Sequence, residues 1–252
     1  MTGGAGGTGA GRSPSPSAFA RAAAGLAVLA VLAGFVGLGL WQVQRLAWKT
    51  DLIARVEARL QAEPQPAPGP AEWPGLDRDR DEYRRVTLSG RYLPGGDTLV
   101  QAVTDRGAGF WVMTPFQAED GWRALVNRGF VPLDRRDPAD WPPPRGAATV
   151  QGLLRLSQPE GAFLRRNDPE AGRWYSRDTA AIAAAQDLGP VAPWFLDAAA
   201  GPDPQALPVG GLTVVHFRNS HLGYALTWFA LAVLWLVAVA AFLRQRRRHA
   251  GG

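Results

Sequence analysis

The sequence predicts a membrane protein of the α plus β class, in which two transmembrane helices bracket a mostly antiparallel β domain that could close partly into a barrel. Two uncharged apolar runs carry this prediction, 19 residues from Ala22 to Leu40 and 22 residues from Leu222 to Leu243. Each is long enough to cross a hydrocarbon core of about 30 Å as a helix, which needs about 20 apolar residues. Between them, short alternating runs bounded by Gly, Pro and Asp indicate strands.

The first apolar run could also be a secretory signal peptide, because Arg12 and Arg21 precede it. It is longer than the apolar core of a signal peptide, and no small-residue cleavage pattern follows it. Trp41 and Arg45 come next, and an indole followed by a cation one turn later suits a membrane interface. We therefore predict a transmembrane helix over residues 18–41.

The basic excess of the chain, a net charge of +5, lies in the terminal tails. Six arginines flank the apolar runs without an acidic neighbour: Arg12, Arg21, Arg244, Arg246, Arg247 and Arg248. The rest of the chain contains 21 basic and all 22 acidic residues. Because arginine-rich flanks stay in the cytoplasm, we predict that both termini are cytoplasmic and that the central domain lies outside. The charge therefore indicates membrane topology and no nucleic-acid partner.

Composition and periodicity divide the chain into seven segments. They are a disordered cytoplasmic tail (1–17), a transmembrane helix (18–41), an amphipathic extension of that helix (42–63), a Pro-rich extended linker (64–82), the extracytoplasmic β domain (83–218), a second transmembrane helix (221–243) and a basic cytoplasmic tail (244–252).

Within the β domain, alternation and turn residues predict about seven short strands and one short helix. The strands are expected at 85–92, 98–103, 110–116, 122–131, 150–156, 193–196 and 212–217, and the helix at 180–186. The third and fourth strands should form a hairpin around Glu119, Asp120 and Gly121.

Enzymatic function is not favoured by the residues present. The chain lacks a Gly-x-Ser-x-Gly elbow, a His-Glu-x-x-His motif and a phosphate-binding loop, and its first histidine is His216. The absence of cysteine removes thiolate chemistry. The carboxylates between Asp77 and Glu82 alternate with arginines and are expected to form a solvated, charge-balanced stretch.

The start of the second apolar run contains the candidate cofactor site. His221, Trp228 and Trp235 recur every seven residues with Ala225 and Ala232 beside them, so they share one helix face. Such a stripe could hold haem, with His221 as the axial ligand to the metal. It could equally pack against the first helix, where Ala30, Gly34 and Gly37 form a small-residue face that could contact either the helix or the cofactor.

The order of several motifs resembles the surfeit-locus family of cytochrome c oxidase assembly factors over nearly the whole chain beyond the N-terminal tail. The matching residues are Gly39 to Gln42 with Arg45, Trp48 and Lys49; Tyr83, Arg85, Val86, Gly90 and Tyr92; Asn127 to Pro132; Asn167 to Pro169 with Trp174 and Asp178; and Arg218 to Leu222 with Tyr224, Thr227 and Trp228. Ser220 and Gly223, beside His221, depart from the common family residues.

The resemblance implies a non-enzymatic chaperone that acts on the catalytic subunit of cytochrome c oxidase as it receives haem a, with haem a synthase as a further candidate partner. It implies haem a as cofactor and His221 as its ligand, and Trp228, Tyr224, Trp41 and Arg45 join the candidate cofactor contacts. Trp41 and Arg45 could instead only anchor the helix in the lipid bilayer. Two alternatives are a structural membrane scaffold for oxidase subunits or haem synthase without a cofactor, and an extracytoplasmic sensor or transport adaptor.

Overall fold

The computed structural model describes residues 18–159, 165–213 and 219–250. The predicted disordered tail, His216, Arg218 and most of the strand expected at 212–217 lie outside these residues; Leu212 and Thr213 are described and form no strand. The chain divides into two compact units, one containing the two terminal segments up to Leu52 and from Phe217, and the other running from Ile53 to His216. We describe each unit by itself.

The described residues form four α-helices, two short 3₁₀ turns and seven strands. The helices are α1 (Ala18–Gln61), α2 (Arg78–Asp81), α3 (Thr179–Ala185) and α4 (His221–Ala250). The strands are β1 (Gln65–Pro66), β2 (Arg85–Tyr92), β3 (Thr98–Thr104), β4 (Gly107–Ala118), β5 (Arg123–Pro132), β6 (Ala147–Leu156) and β7 (Trp194–Ala198).

Both terminal helices are long and apolar enough to cross a membrane, as predicted. α1 is one continuous helix of 44 residues that includes both the first apolar run and the predicted amphipathic extension. It ends three residues before Pro64, whose ring excludes a continuing helix. Most of the apolar side chains on both helices are exposed, which suits a lipid environment and not the core of a soluble protein.

The seven strands described form one mixed sheet in the order β1-β2-β6-β7-β5-β4-β3. The predicted β4–β5 hairpin is confirmed, with Gln117 opposite Arg123. The sheet is less uniformly antiparallel than predicted, because β1 runs parallel to β2 and β5 runs parallel to β7. The parallel pairs arise because β1 and β7 reach their partners through long connections and not through hairpins.

A second contact of β2 brings the sheet back towards itself. The last three residues of β2 pair with the end of β4, Gly90 opposite Ala118 and Tyr92 opposite Phe116. A Cβ atom at Gly90 would lie 2.0 Å from the carbonyl oxygen of Gln117, so this approach requires glycine. The barrel closure suggested by the sequence is limited to this three-residue pairing.

The apolar core of the sheet unit lies between the strands and the segments that cross them. One cluster surrounds Phe116 and Trp194, and another joins Val100, Met113 and Phe195 to Trp174 and to Ile182 of α3. Each of these side chains is buried. Burial of large apolar side chains stabilises the folded unit in the absence of any disulfide.

The segment predicted as an extended linker packs on the sheet and contains regular structure. Residues 65–66 form β1, Trp73 to Gly75 form a 3₁₀ turn, and α2 follows with Asp77 accepting hydrogen bonds from the backbone N–H groups of Asp79 and Arg80. The expectation of solvated carboxylates is wrong for Asp81 and Glu82, which are only 2% and 4% exposed. The N-cap at Asp77 sets the helical turn that directs these two side chains inward.

Candidate cofactor site on the terminal helices

Helices α1 and α4 pack side by side in antiparallel order. Four contacts define the register: Gln42 with His221, Gly39 with Phe229, Phe35 with Trp228, and Val28 with Trp235. Small residues allow the approach, since Ala225 and Ala232 are 2% and 6% exposed. Close packing through small residues and interhelical hydrogen bonds is the usual way in which membrane helices associate.

His221 is the first residue of α4 and is half-buried. Its Nδ1 atom lies 2.7 Å from Oε1 of Gln42, a side chain that is 8% exposed. Within the described part of the chain, Nε2 of His221 has no hydrogen-bond partner. In metal-ligating histidines, one ring nitrogen typically forms a hydrogen bond and the other binds the metal. The hydrogen bonding of His221 is compatible with this arrangement.

The tryptophan stripe predicted on α4 faces α1, as one of the two interpretations of the sequence required. Trp228 stacks on Phe35 with ring centroids 6.0 Å apart, and Nε1 of Trp235 donates a hydrogen bond of 3.1 Å to the carbonyl oxygen of Val28. Trp228 therefore contributes to helix packing. This contact limits the part of its ring that a cofactor could reach.

The other candidate cofactor residues are exposed and separate from His221. Trp41 and Tyr224 are 53% and 58% exposed, and Arg45 lies on the ring of Trp48, 4.1 Å from its centroid. Among the described residues, no hydrogen bond, ion pair or ring contact joins Trp41, Arg45 or Tyr224 to His221. Their exposed amphipathic side chains suit a membrane interface.

The glycine that α4 contacts, Gly39, is not part of the small-residue face predicted for α1. Ala30, Gly34 and Gly37 are exposed, and no atom would lie within 4 Å of a Cβ added at Gly34 or Gly37. A Cβ at Gly39 would instead lie 2.6 Å from the ring of Phe229. The side chains of α4 thus determine which face of α1 is used for packing. The sequence of α1 alone does not identify this face.

Gln42 was not predicted from the sequence as the partner of His221. The signal was present, because a glutamine at the end of an apolar run calls for a hydrogen-bond partner when it faces another helix. What was absent from the sequence is the identity of that partner, which lies 179 residues away along the chain.

The described part of the chain contains no cluster of metal-binding side chains. No group of three or more His, Cys, Asp or Glu side chains that could hold a metal ion occurs there. His249 is exposed near the end of α4, with Nδ1 2.8 Å from the carbonyl oxygen of Gln245. It resembles an ordinary surface histidine.

The sheet unit buries a charged cluster that could be mistaken for a catalytic one. Asp197 on β7, 3% exposed, pairs with Arg155 and Arg177 at 3.1 Å each, and Arg155 pairs with Glu82 at 2.7 Å. Asn127 donates to Asp197 at 2.7 Å. Each carboxylate has a cationic partner, as buried charges require, so the cluster is structural.

Burial and pairing with carboxylates have opposite effects on the pKa values of the two arginines in this cluster. Burial opposes the charged form of Arg155, but Asp197 and Glu82 outweigh it and raise the pKa of Arg155. Burial lowers the pKa of Arg177 even though Asp197 opposes the change.

A second polar cluster surrounds Tyr92 at the end of β2. Burial raises the pKa of Tyr92 to about 12, against the effect of Arg128. The Arg128 guanidinium lies 3.9 Å from Asp97 and donates to the carbonyl oxygens of Trp141 and Pro142. Arg128 therefore shapes the turn after β5.

Comparisons with known proteins identify the family of the chain. The SURF1 family model matches residues 29–233. Surfeit locus protein 1 of Mus musculus is 37% identical over 222 residues, 81% of this chain and 70% of the relative, and that of Homo sapiens is 34% identical over 219 residues, 78% and 69% of the two chains. The SURF1-like protein of Monosiga brevicollis is 35% identical over 261 residues, 95% of each chain. The resemblance found in the motifs is thereby confirmed, and the chain belongs to the SURF1 family.

Proposed function

We propose that this protein is an assembly factor for haem-copper cytochrome c oxidase that binds haem a at the start of α4 and assists its insertion or stabilisation in the catalytic subunit. It acts as a carrier or chaperone and not as an enzyme. The oxidase catalytic subunit is its principal partner, and haem a synthase is a second candidate partner. Membership of the SURF1 family supports the proposed role in oxidase assembly, and the geometry of His221 supports the proposed binding of haem a.

The single observation that carries the haem proposal concerns Nε2 of His221, which has no hydrogen-bond partner in the part of the chain that the structure describes. Its other nitrogen is engaged by Gln42 at 2.7 Å, so the imidazole has a defined orientation and one lone pair for iron. A carrier needs an accessible ligand and not an enclosed pocket, because the haem must leave again. The exposed Leu222 and Tyr224 beside the histidine add apolar and aromatic surface that suits a flat lipophilic ring.

The residues present fit a haem held through one protein ligand. A single neutral imidazole can serve as an axial ligand, as in other haem proteins, and His221 is the residue that would provide it. Bound haem would supply the iron centre that the oxidase requires. The chain itself would orient the ring and present it at the membrane interface.

We place the helices across the bacterial plasma membrane with both termini in the cytoplasm. The support for this topology is the group of six arginines that flank the two apolar runs without an acidic residue beside them in the sequence. This topology puts the start of α4, and therefore His221, at the outer face of the membrane.

The test is an absorption spectrum with a pyridine-haem assay on detergent-purified protein co-expressed with the enzymes of haem a synthesis. We expect haem a in the parent and in His249→Ala, and its loss in His221→Ala. His249 is the matched control because it is an exposed histidine at the opposite end of the same helix. Equal haem content in the two variants would overturn the assignment of His221.

A structural scaffold without a cofactor is the second candidate function, and one observation favours it. The aromatic stripe of α4 is engaged in packing against α1 through Trp228 and Trp235, as a purely structural helix pair would require. Under this proposal no variant binds haem, while His221→Ala still captures the oxidase subunit. Haem in the parent protein would exclude it.

A further inference from the structure

Gln42 is a buried polar side chain in a helix whose apolar side chains are largely exposed. It is 8% exposed, whereas Trp41, Val43 and Gln44 beside it are exposed. Burying an amide away from water is unfavourable unless the amide forms hydrogen bonds. The partner of its Oε1 atom is Nδ1 of His221 at 2.7 Å, so the position of this glutamine is tied to the histidine.

The chemistry of the two groups assigns the proton. A carboxamide oxygen can only accept a hydrogen bond, so Nδ1 of a neutral His221 carries the hydrogen and donates it. The lone pair is then on Nε2, which has no partner in the described part of the chain. Gln42 thereby selects the tautomer and fixes the ring plane at the same time.

We infer that Gln42 is a positioning residue for haem, which holds His221 in the Nδ1–H tautomer and presents Nε2 to the iron. This inference rests on the proposed function. Outer hydrogen bonds of this kind orient metal-ligating histidines and raise their basicity, and their loss typically weakens metal binding about 10- to 100-fold. Gln42 itself does not touch the haem in this arrangement.

Two substitutions and a matched control separate positioning from a general effect on folding. Gln42→Leu keeps the approximate volume but removes the acceptor. Gln42→Glu keeps an acceptor oxygen and strengthens it. Gln44→Leu is the control, because Gln44 lies on the same helix within one turn but is exposed.

The first measurement needs no haem. Nitrogen-15 NMR of histidine-labelled protein in detergent reports which ring nitrogen carries the hydrogen, and His221→Ala identifies the signal. We expect the Nδ1–H tautomer in the parent, in Gln42→Glu and in Gln44→Leu, and a shift towards Nε2–H in Gln42→Leu. An Nε2–H tautomer in the parent, or an unchanged tautomer in Gln42→Leu, would overturn the inference.

The second measurement is made on haem-loaded protein. We expect haem a affinity to fall about 10- to 100-fold in Gln42→Leu and to stay at the parent value in Gln44→Leu. The iron reduction potential should be lower in Gln42→Glu, because a more basic imidazole favours the ferric state. Unchanged affinity and potential in both Gln42 variants would refute the inference while leaving the haem proposal intact. A parent that binds no haem refutes both, whatever the tautomer.

Discussion

At the scale of single residues, Asp197 has more polar partners than the other acidic residues in the part of the chain that the structure describes. It accepts hydrogen bonds from Asn127, Arg155, Arg177 and Thr213. All four partners lie outside β7, so the aspartate connects β5, β6, the loop before α3 and the segment after β7. A charge with this many buried partners is strongly coupled to the folded state.

Asp197→Asn should lower the free energy of unfolding by about 3–5 kcal/mol, because two buried guanidinium groups lose their shared counter-charge. Chemical denaturation of the full chain in detergent, followed by tryptophan fluorescence, measures the change. Asp203→Asn is the control, since Asp203 is exposed and its side chain accepts a hydrogen bond of 2.8 Å from the backbone N–H of Gln205. If Asp197→Asn lowered the free energy of unfolding no more than Asp203→Asn does, the buried charged cluster would contribute little to stability.

The raised pKa of Tyr92 predicts that the stability of the protein depends on pH in alkaline solution. Its pKa is raised to about 12 by burial, while an unfolded tyrosine ionises near 10. The stabilising effect of the neutral phenol is therefore complete below about pH 10 and lost as the pH rises towards 12, with a total on the order of 2–3 kcal/mol.

The change is measured by tyrosinate absorbance and by unfolding between about pH 9 and 11.5. Tyr92→Phe should remove the tyrosine that ionises last and flatten the loss of stability. A tyrosine that ionises near pH 10 in the folded parent and is missing from Tyr92→Phe would contradict the raised pKa of Tyr92.

At the scale of elements, the packing of α1 on α4 depends on one glycine. Gly39 leaves room for the ring of Phe229, which would lie 2.6 Å from an added Cβ atom. Other glycines on the same helix, such as Gly37, have no atom within 4 Å of that position. The same substitution should therefore destabilise the helix pair at Gly39 but not at Gly37.

Gly39→Leu should destabilise the helix pair by about 1–3 kcal/mol through overpacking. Gly37→Leu should be neutral or slightly stabilising, because leucine has the higher helix propensity. Thermal unfolding in detergent compares the two, and Phe229→Ala should recover part of the loss in Gly39→Leu. Equal effects at Gly39 and Gly37 would contradict the register of the two helices.

At the scale of the whole molecule, the absence of cysteine makes the proposed topology directly testable. Gly121→Cys lies in the exposed turn between β4 and β5, and Arg247→Cys lies in the exposed tail of α4. In intact spheroplasts a membrane-impermeant maleimide should label the first and not the second, and after detergent treatment it should label both. Labelling of Arg247→Cys alone in intact spheroplasts would reverse the topology.

The sequence by itself determined the elements and the family. Two apolar runs of 19 and 22 residues predicted α1 and α4, and alternation predicted six of the strands, because these patterns are local in the chain. The short helix expected at 180–186 corresponds to α3. The order of the motifs identified the family and pointed to His221. The two-residue β1 is too short for any such pattern to predict.

Only the tertiary structure decided which of these elements meet and which charges are buried. Glu82 bonds Arg155 across 73 residues, and His221 bonds Gln42 across 179. The burial of Asp81 and Glu82, the choice of Gly39 over Gly34 and Gly37, and the parallel pairing of β5 with β7 likewise depend on distant partners. Local periodicity contains no information about such partners, because long-range contacts are selected by complementary packing and by the hydrogen bonds that buried polar groups require.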